Sequence, residues 1–184
     1  GKYKSHWVKS AWDRDCVGSI TDYGYEGTHG LSKYSSERAV ETALIDMMEQ
    51  FADSEVCKKH PPKLVLVDSG NFSQACYEAC RRIGPPFFPA KGWDSGRFRM
   101  PRQTKDDVAL FLEAYARVQE DNREKFWLYH INGEYWKNWL QERFLVDAIV
   151  DDARVPGSIG IFEPPYGDRK FHSDFGRHMV SESE

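Results

Sequence analysis

Cysteine is scarce in this sequence. There are four in 184 residues; Cys16 and Cys57 have no near partner, and Cys76 and Cys80 stand one helical turn apart. No spacing matches a zinc site, so free thiols in a reducing compartment are the reading. No apolar run approaches the ~20 residues that a membrane helix needs, and no signal-peptide pattern opens the chain, so a soluble, intracellular, non-secreted protein is expected. Positive charge is not in excess: the formal net charge is -4. That balance does not advertise nucleic-acid binding and makes local clusters the place to look. The absence of G-x-x-x-x-G-K-[ST] excludes a P-loop ATP-driven motor. The absence of G-x-S-x-G, with D-S-G supplying no obvious base, puts an α/β hydrolase last among the alternatives. There is no internal repeat and no low-complexity tract. What is present is 40% hydrophobic and 14% aromatic residues, enough to argue against disorder and for one globular domain over residues 1–184.

Two strand-like runs, residues 6–12 and 17–25, flank a turn at 13–15 and predict an antiparallel hairpin. After a glycine-rich stretch, Ser35 and Ser36 offer an N-cap. Val40, Ala43, Leu44, Met47, Met48 and Phe51 then recur at helical spacing, the clearest amphipathic helix in the chain. A short buried strand is predicted at 64–67, then a helix with Cys76, Ala79, Cys80 and Ile83 on one face, stopped by Gly84-Pro85-Pro86. Residues 87–90 read as a strand. Thr104 and Asp107 resemble a capping pair for a helix striped by Val108, Phe111, Leu112, Tyr115 and Val118. Residues 126–131 read as a strand, Asn132-Gly133 as a turn into a helix with Trp136, Trp139 and Leu140, and 158–162 as a last strand. Phe171, Phe175, His178 and Met179 outline a terminal helical face. Hairpin first, then alternating helix and strand, predicts an α/β fold: one mixed sheet, antiparallel at its start and parallel after, with helices on both faces.

Within that order, KLVLVDSG at 63–70 ends an apolar run on Asp68. Ligands of open α/β sheets bind outside the carboxyl ends of the strands, so Asp68 reads as a working group; Asp, Ser and Gly also suit a tight strand-to-helix turn, so it reads equally as a turn residue. The other feature is KGWDSGRFRMPRQTK at 91–105, where Lys91, Arg97, Arg99, Arg102 and Lys105 face the single acid Asp94, with Trp93 and Phe98 interleaved. A concentrated basic, aromatic loop in an acidic chain suits tracking of a phosphate backbone, the bland alternative being a solvated loop.

Several pieces, in order, resemble the nuclease domain of the large terminase subunit of tailed phages, of the lambda type, which has a ribonuclease-H-like fold. The hairpin ending in SITDYGYEG resembles that family's second and third strands, VLVDSG its strand with the second catalytic acid, and FPAKG the strand closed by Lys-Gly. LYHINGEYWKNWLQERF resembles its strand, turn and K-x-x-L helix. PGSIGIFEPP with FHSDFGRHMVSESE resembles the late strand and the L-T-x-E segment, Glu182 standing at the acidic position. Each motif is short; their order and spacing carry the match over nearly the whole chain.

The resemblance implies an endonuclease that cuts concatemeric double-stranded DNA during viral genome packaging, in the cytoplasm of an infected bacterial host, with no membrane partner. It implies two Mg²⁺ or Mn²⁺ ions held by acids, since two cations about 3.5–4 Å apart stabilise both the attacking and the leaving oxygen of an in-line displacement. The implied partners are double-stranded DNA, the ATPase motor domain of the same parent chain, the portal and the small terminase subunit. Of the family's three acids only Asp68 matches a position in this chain. The first would fall just before Gly1 and the last beyond Glu184, so segments flanking both ends are expected to complete the domain. Asp22, at the end of the second strand, and Asp174, beside His172, are the other candidate metal ligands; Asp22 reads more plainly as a turn residue, and the resemblance places the third acid later than Asp174. His172 and His178 read as surface or core residues. The alternative function is a catalytically incomplete ribonuclease-H-like module that binds DNA or docks a partner.

Overall fold

Ten strands and four helices make up the described parts of the chain. The computed structural model describes residues 4–12, 18–27, 36–101, 107–111, 113–121, 124–162, 172–173 and 175–177. The expected turn at 13–15, the cap residues Ser35 and Thr104, and Cys16, Phe171, His178, Met179 and Glu182 lie outside them. The chain divides into two compact units, one comprising Gly1–Ser5 and Glu26–Trp136, the other His6–Tyr25 and Lys137–Glu184. The architecture is mixed α/β. No helix among the described residues is long and apolar enough to cross a membrane.

The elements, in chain order, are β1 (Lys4–Trp12), β2 (Gly18–Gly27), α1 (Ser36–Asp53), α2 (Glu55–Lys59), β3 (Val65–Asp68), α3 (Ser73–Ile83), β4 (Phe87–Trp93), β5 (Asp107–Phe111), β6 (Ala114–Asp121), β7 (Glu124–Asn132), α4 (Gly133–Phe144), β8 (Ile149–Val150), β9 (Ala153–Arg154) and β10 (Ile159–Ile161). The strands form a five-stranded sheet ordered β3-β4-β7-β6-β5, a three-stranded sheet ordered β1-β2-β10, and the pair β8-β9.

In the first unit, β3, β4 and β7 run parallel and β7, β6 and β5 antiparallel. The periodicity of α1 is realised: Leu44, Ile45 and Met48 are buried with Cys76, Ala79 and Cys80 of α3 and with Phe87, while Val65 and Val67 pack against that cluster. Burial of Leu44, Ile45, Met48 or Phe87 contributes about 1.5–3 kcal/mol each before the entropy of ordering it. α3 stops at Gly84, whose φ of 77° is costly for a residue with a Cβ and whose N–H bonds the Cys80 carbonyl.

Three expectations are corrected here. The hairpin strands β1 and β2 do not belong to the sheet that holds β3; they form a separate sheet with β10, and the antiparallel part of the larger sheet is β5 to β7. The stripe from Val108 to Val118 is not helical: β6 lies opposite β7 in consecutive pairs from Ala114↔Ile131 to Asp121↔Glu124. Cross-strand pairing and burial of Ala114, Tyr115 and Ala116 override a local period that fits a helix equally well. The β5-β6 turn was invisible because Glu113 adopts φ 61° where Gly or Asn would have announced it. Finally, the run at 64–67 is not a fully buried strand. β3 is an edge strand, and Leu64 and Leu66 are 42% and 41% exposed.

In the second unit β10 runs parallel to β2, with Ile159 opposite Gly18 and Ile161 opposite Ile20. A Cβ at Gly18 would lie 2.5 Å from the ring of Trp12, so a side chain there would displace that exposed indole. Trp12 packs at 5.7 Å from Trp139. Phe175, in a helical turn, stacks on Tyr23 at 4.7 Å. His172 is a structural residue: its Nε2 lies 2.9 Å from the Phe162 carbonyl and its Nδ1 2.9 Å from the Tyr23 hydroxyl. A carbonyl only accepts, so in the neutral ring Nε2 donates and Nδ1 accepts from Tyr23.

Candidate functional site

The side-chain period of β3 decides where its terminal acid points. Val65 and Val67 face the core and Leu66 faces out. Asp68, one step further on, is exposed with the outward set. Its Oδ1 accepts the N–H of Gly70 at 3.1 Å, the local bond that makes Asp suitable for a turn. The next residue fixes the turn more firmly. Ser69 is fully buried, its N–H and hydroxyl both donate to the Ala90 carbonyl at 2.7 and 2.8 Å, and its own carbonyl accepts from the Ser73 hydroxyl at 2.7 Å. Asp68 is thus held at a rigid strand end, its carboxylate in solvent.

Beneath it lies Cys76, whose sulfur is 3.5 Å from the Val67 carbonyl. Its thiol is pushed far above the ordinary range, first by the hydrogen bond with Cys80, then by burial, and further by the negative charges of Cys80 and Asp68. It is no nucleophile. Tyr129, across from Ala90 and so in the same cross-sheet row as Asp68, has its hydroxyl pushed up by burial.

At the same carboxyl-terminal edge, β4 leads into the basic loop. Its first turn is closed by Asp94, whose carbonyl accepts from Arg97 N at 3.0 Å and Phe98 N at 2.9 Å and whose Oδ1 accepts from Arg97 N at 2.9 Å. Phe98 is 6% exposed and lies 5.8 Å from Tyr115; it anchors the loop and offers no free ring to a ligand. Trp93 is half-buried, its ring plane within 16° of that of His130. The interleaved aromatics therefore build the loop, and the cations form its surface. Arg97 has 77% of its side chain exposed, 3.5 Å from an Asp94 carboxylate that is itself 58% exposed, a pair of little energetic weight. Arg99 is exposed and donates to the Phe98 carbonyl at 2.7 Å. Lys91, on β4, places its ammonium 4.8 Å from the centre of the Trp93 ring.

Of the other candidates, Asp22 lies on β2, in the three-stranded sheet and not in the sheet of Asp68. Asp174, Arg102 and Lys105 lie outside the described residues. A groove of about 470 Å³ between α1 and α3, lined by Arg38, Glu41, Asp46, Glu49, Glu78 and Arg82 among others, contains neither Asp68 nor the loop. Among the described residues no three His, Cys, Asp or Glu side chains gather where they could hold a metal ion.

The sequence reading missed His130, Asn132 and Glu113. Asn132 is 6% exposed and is a hub: Oδ1 accepts from Ser95 Oγ at 3.0 Å and Tyr135 N at 3.2 Å, while Nδ2 donates to Glu113 Oε2 at 2.7 Å. Its signal was present, since Asn three residues before Tyr135 is an N-cap spacing. His130 carried none beyond its inward parity on β7. No known family model matches the chain, and neither a curated protein nor a solved structure matches it significantly.

Proposed function

We propose that the chain is a metal-dependent endonuclease module acting on double-stranded DNA, similar in plan to the nuclease domain of the large terminase subunit of tailed phages and built on a ribonuclease-H-like sheet. One observation carries the reading: an exposed carboxylate, Asp68, and a tethered basic loop, 94–100, stand on the carboxyl ends of adjacent parallel strands, β3 and β4. Asp68 is level with Ala90, and the loop begins four residues further along β4. At about 3.3 Å per residue that is roughly 13 Å, the length of helix axis over which one DNA strand carries about four phosphates at ~3.4 Å each. A duplex whose backbone rests on Arg97 and Arg99 thereby brings a phosphodiester a few nucleotides away over Asp68.

The donor set sets the boundary of this reading. Asp68 is one carboxylate, with one oxygen already accepting from Gly70, and the described residues gather no cluster around it. They fit one ligand of a two-metal site and not the set that in-line displacement requires, so the roles assigned to them are to bind and orient the duplex and to contribute one acid. That shortfall also favours the second reading, a DNA-binding module without catalysis. The two separate in one experiment. Supercoiled plasmid is incubated with Mg²⁺ or Mn²⁺ and this chain, or any longer natural form of it, beside the Asp68→Asn variant. Asn keeps an oxygen for the Gly70 N–H, so the turn is retained. Loss of cleavage by more than the roughly 10–100-fold that even outer-shell partners cost supports the nuclease. Full cleavage by folded Asp68→Asn rejects the assignment of Asp68, and DNA binding with no cleavage by any form selects the second reading.

A further inference from the structure

The basic loop is fastened to the sheet at three points: Phe98 against Tyr115, Ser95 Oγ to Asn132 Oδ1, and Trp93 Nε1 to His130 Nδ1 at 2.9 Å. The third lies inside an aromatic column. Trp93 and His130 have ring centres 6.0 Å apart and planes within 16°, and His130 and Tyr115 are 4.6 Å apart and within 13°. Lys91 caps the Trp93 end, and the Arg117 guanidinium lies 5.5 Å from the Tyr115 ring at the other. The column crosses three neighbouring strands, since Lys91 and Tyr115 both stand opposite His130. Trp93 is the last residue of β4, immediately before Asp94.

We propose that Trp93 and His130 are positioning residues of the DNA-contacting loop, their indole–imidazole hydrogen bond fixing the exit of β4 and hence the direction in which Arg97 and Arg99 are presented. This rests on the reading of the loop as a duplex-binding surface. Trp Nε1 only donates, so Nδ1 must hold a lone pair, and the bond exists only with the imidazole proton on Nε2. His130 is 7% exposed, so a lost bond there is not readily replaced by water. The two rings are nearly coplanar and joined edge to edge by this bond; without it the indole is free to slide within its plane. The hydrogen bond removes the slide, and with it the uncertainty in where the following turn begins. An arginine presented in a fixed direction meets its phosphate without a further ordering cost.

The test separates loop order from DNA binding. Trp93→Phe keeps a ring in the column and deletes the donor, His130→Leu deletes the acceptor, and His130→Asn restores an oxygen near the place of Nδ1. Amide hydrogen exchange without DNA is read at Arg97 and Phe98, whose N–H groups bond Asp94, and at Ser69 and Gly84, whose N–H groups bond Ala90 and Cys80 in the body of the unit. Duplex affinity is measured over a salt series. Expected are about 10-fold faster exchange at Arg97 and Phe98 alone in Trp93→Phe and His130→Leu, and about 10-fold weaker binding at unchanged salt slope, because the same phosphates are contacted after an added ordering cost. His130→Asn should recover much of both. Unchanged exchange at Arg97 and Phe98, or equal acceleration at all four amides, overturns the positioning role. Faster loop exchange with unchanged affinity overturns the loop's role in DNA binding instead.

Discussion

Replacing Arg81 by Met should cost the five-stranded unit about 2 kcal/mol. Arg81 sits in the last turn of α3 with only 13% of its side chain exposed and reaches the hairpin between β6 and β7. Nη1 donates to Glu124 at 3.0 Å and lies 3.4 Å from the Asp121 carbonyl. Nη2 pairs with Glu78 and lies 3.5 Å from the Asp121 carboxylate. The guanidinium is 5.8 Å from the ring of Phe126. Gln74 donates to both Glu78 and Asp121. Met keeps the aliphatic stem and deletes the fork. Glu124 is 67% exposed and rehydrates, so its pair counts for little. Glu78 and Asp121, 39% and 30% exposed, retain part of their desolvation and lose a charge-assisted partner worth ~1.5–3 kcal/mol. With the other contacts near zero the sum stays at about 2 kcal/mol. In a chain of 184 residues that lowers Tm by roughly 4–8 °C, and in urea it lowers the midpoint at unchanged m. Arg81→Lys, which keeps charge without the fork, should fall between. The assay is urea unfolding followed by circular dichroism, with Asp121→Asn completing a double-mutant cycle whose coupling should be at least ~0.5 kcal/mol. A loss below about 0.5 kcal/mol for Arg81→Met would refute the reasoning: the acids would then be fully hydrated and α3 would not hold the hairpin.

Arg97→Ala and Arg99→Ala should each weaken duplex binding about equally across unrelated sequences and reduce the log–log salt slope by roughly 0.9; binding of each variant to several duplexes over a salt series checks this, and loss confined to one sequence would mean base reading instead. Asp94→Asn, which keeps an oxygen for the Arg97 N–H but removes the one opposing charge, should strengthen binding in the same titration. Cys76 should resist iodoacetamide at pH 9 in the folded protein and react only after unfolding, as mass spectrometry of the modified peptide would show. Because folding raises the Cys76 value above its ordinary 9.0, its contribution to stability is fully present below that pH. As pH rises above it the unfolded chain loses the proton while the folded chain keeps it, so stability falls by up to about 1.4 kcal/mol per pH unit. Cys76→Ala should flatten that part of a urea-midpoint profile against pH.

What the sequence disclosed was local. The α1 stripe, the strand ending on Asp68 and the glycine stop of α3 depend on residues a few positions apart, and each stands where it was expected. Pairing between distant strands was hidden. Val108 to Val118 satisfied a helical period, and only the presence of β7 alongside turns β6 into a strand. Phe98 looked like part of a ligand surface because a loop aromatic cannot be told from a loop anchor until Tyr115 is seen beneath it. His130 left no trace, since its meaning comes from Trp93, 37 residues earlier. The site was thus legible as a list of exposed charges and illegible as the scaffold that aims them.

The parallel pairing of β10 with β2 has a consequence for how the chain is made. Ile159 lies opposite Gly18, a separation of 159 − 18 = 141 residues, and the residues of the larger sheet are translated between them. At about 5–20 residues per second on the ribosome, β2 waits roughly 7–28 s before its parallel neighbour β10 exists, long enough for the intervening sheet to form first. The second unit is therefore completed last and from both ends of the sequence. A ribosome stalled before residue 159 would release a chain whose larger sheet can assemble while one edge of β2 stays open to strands of other chains.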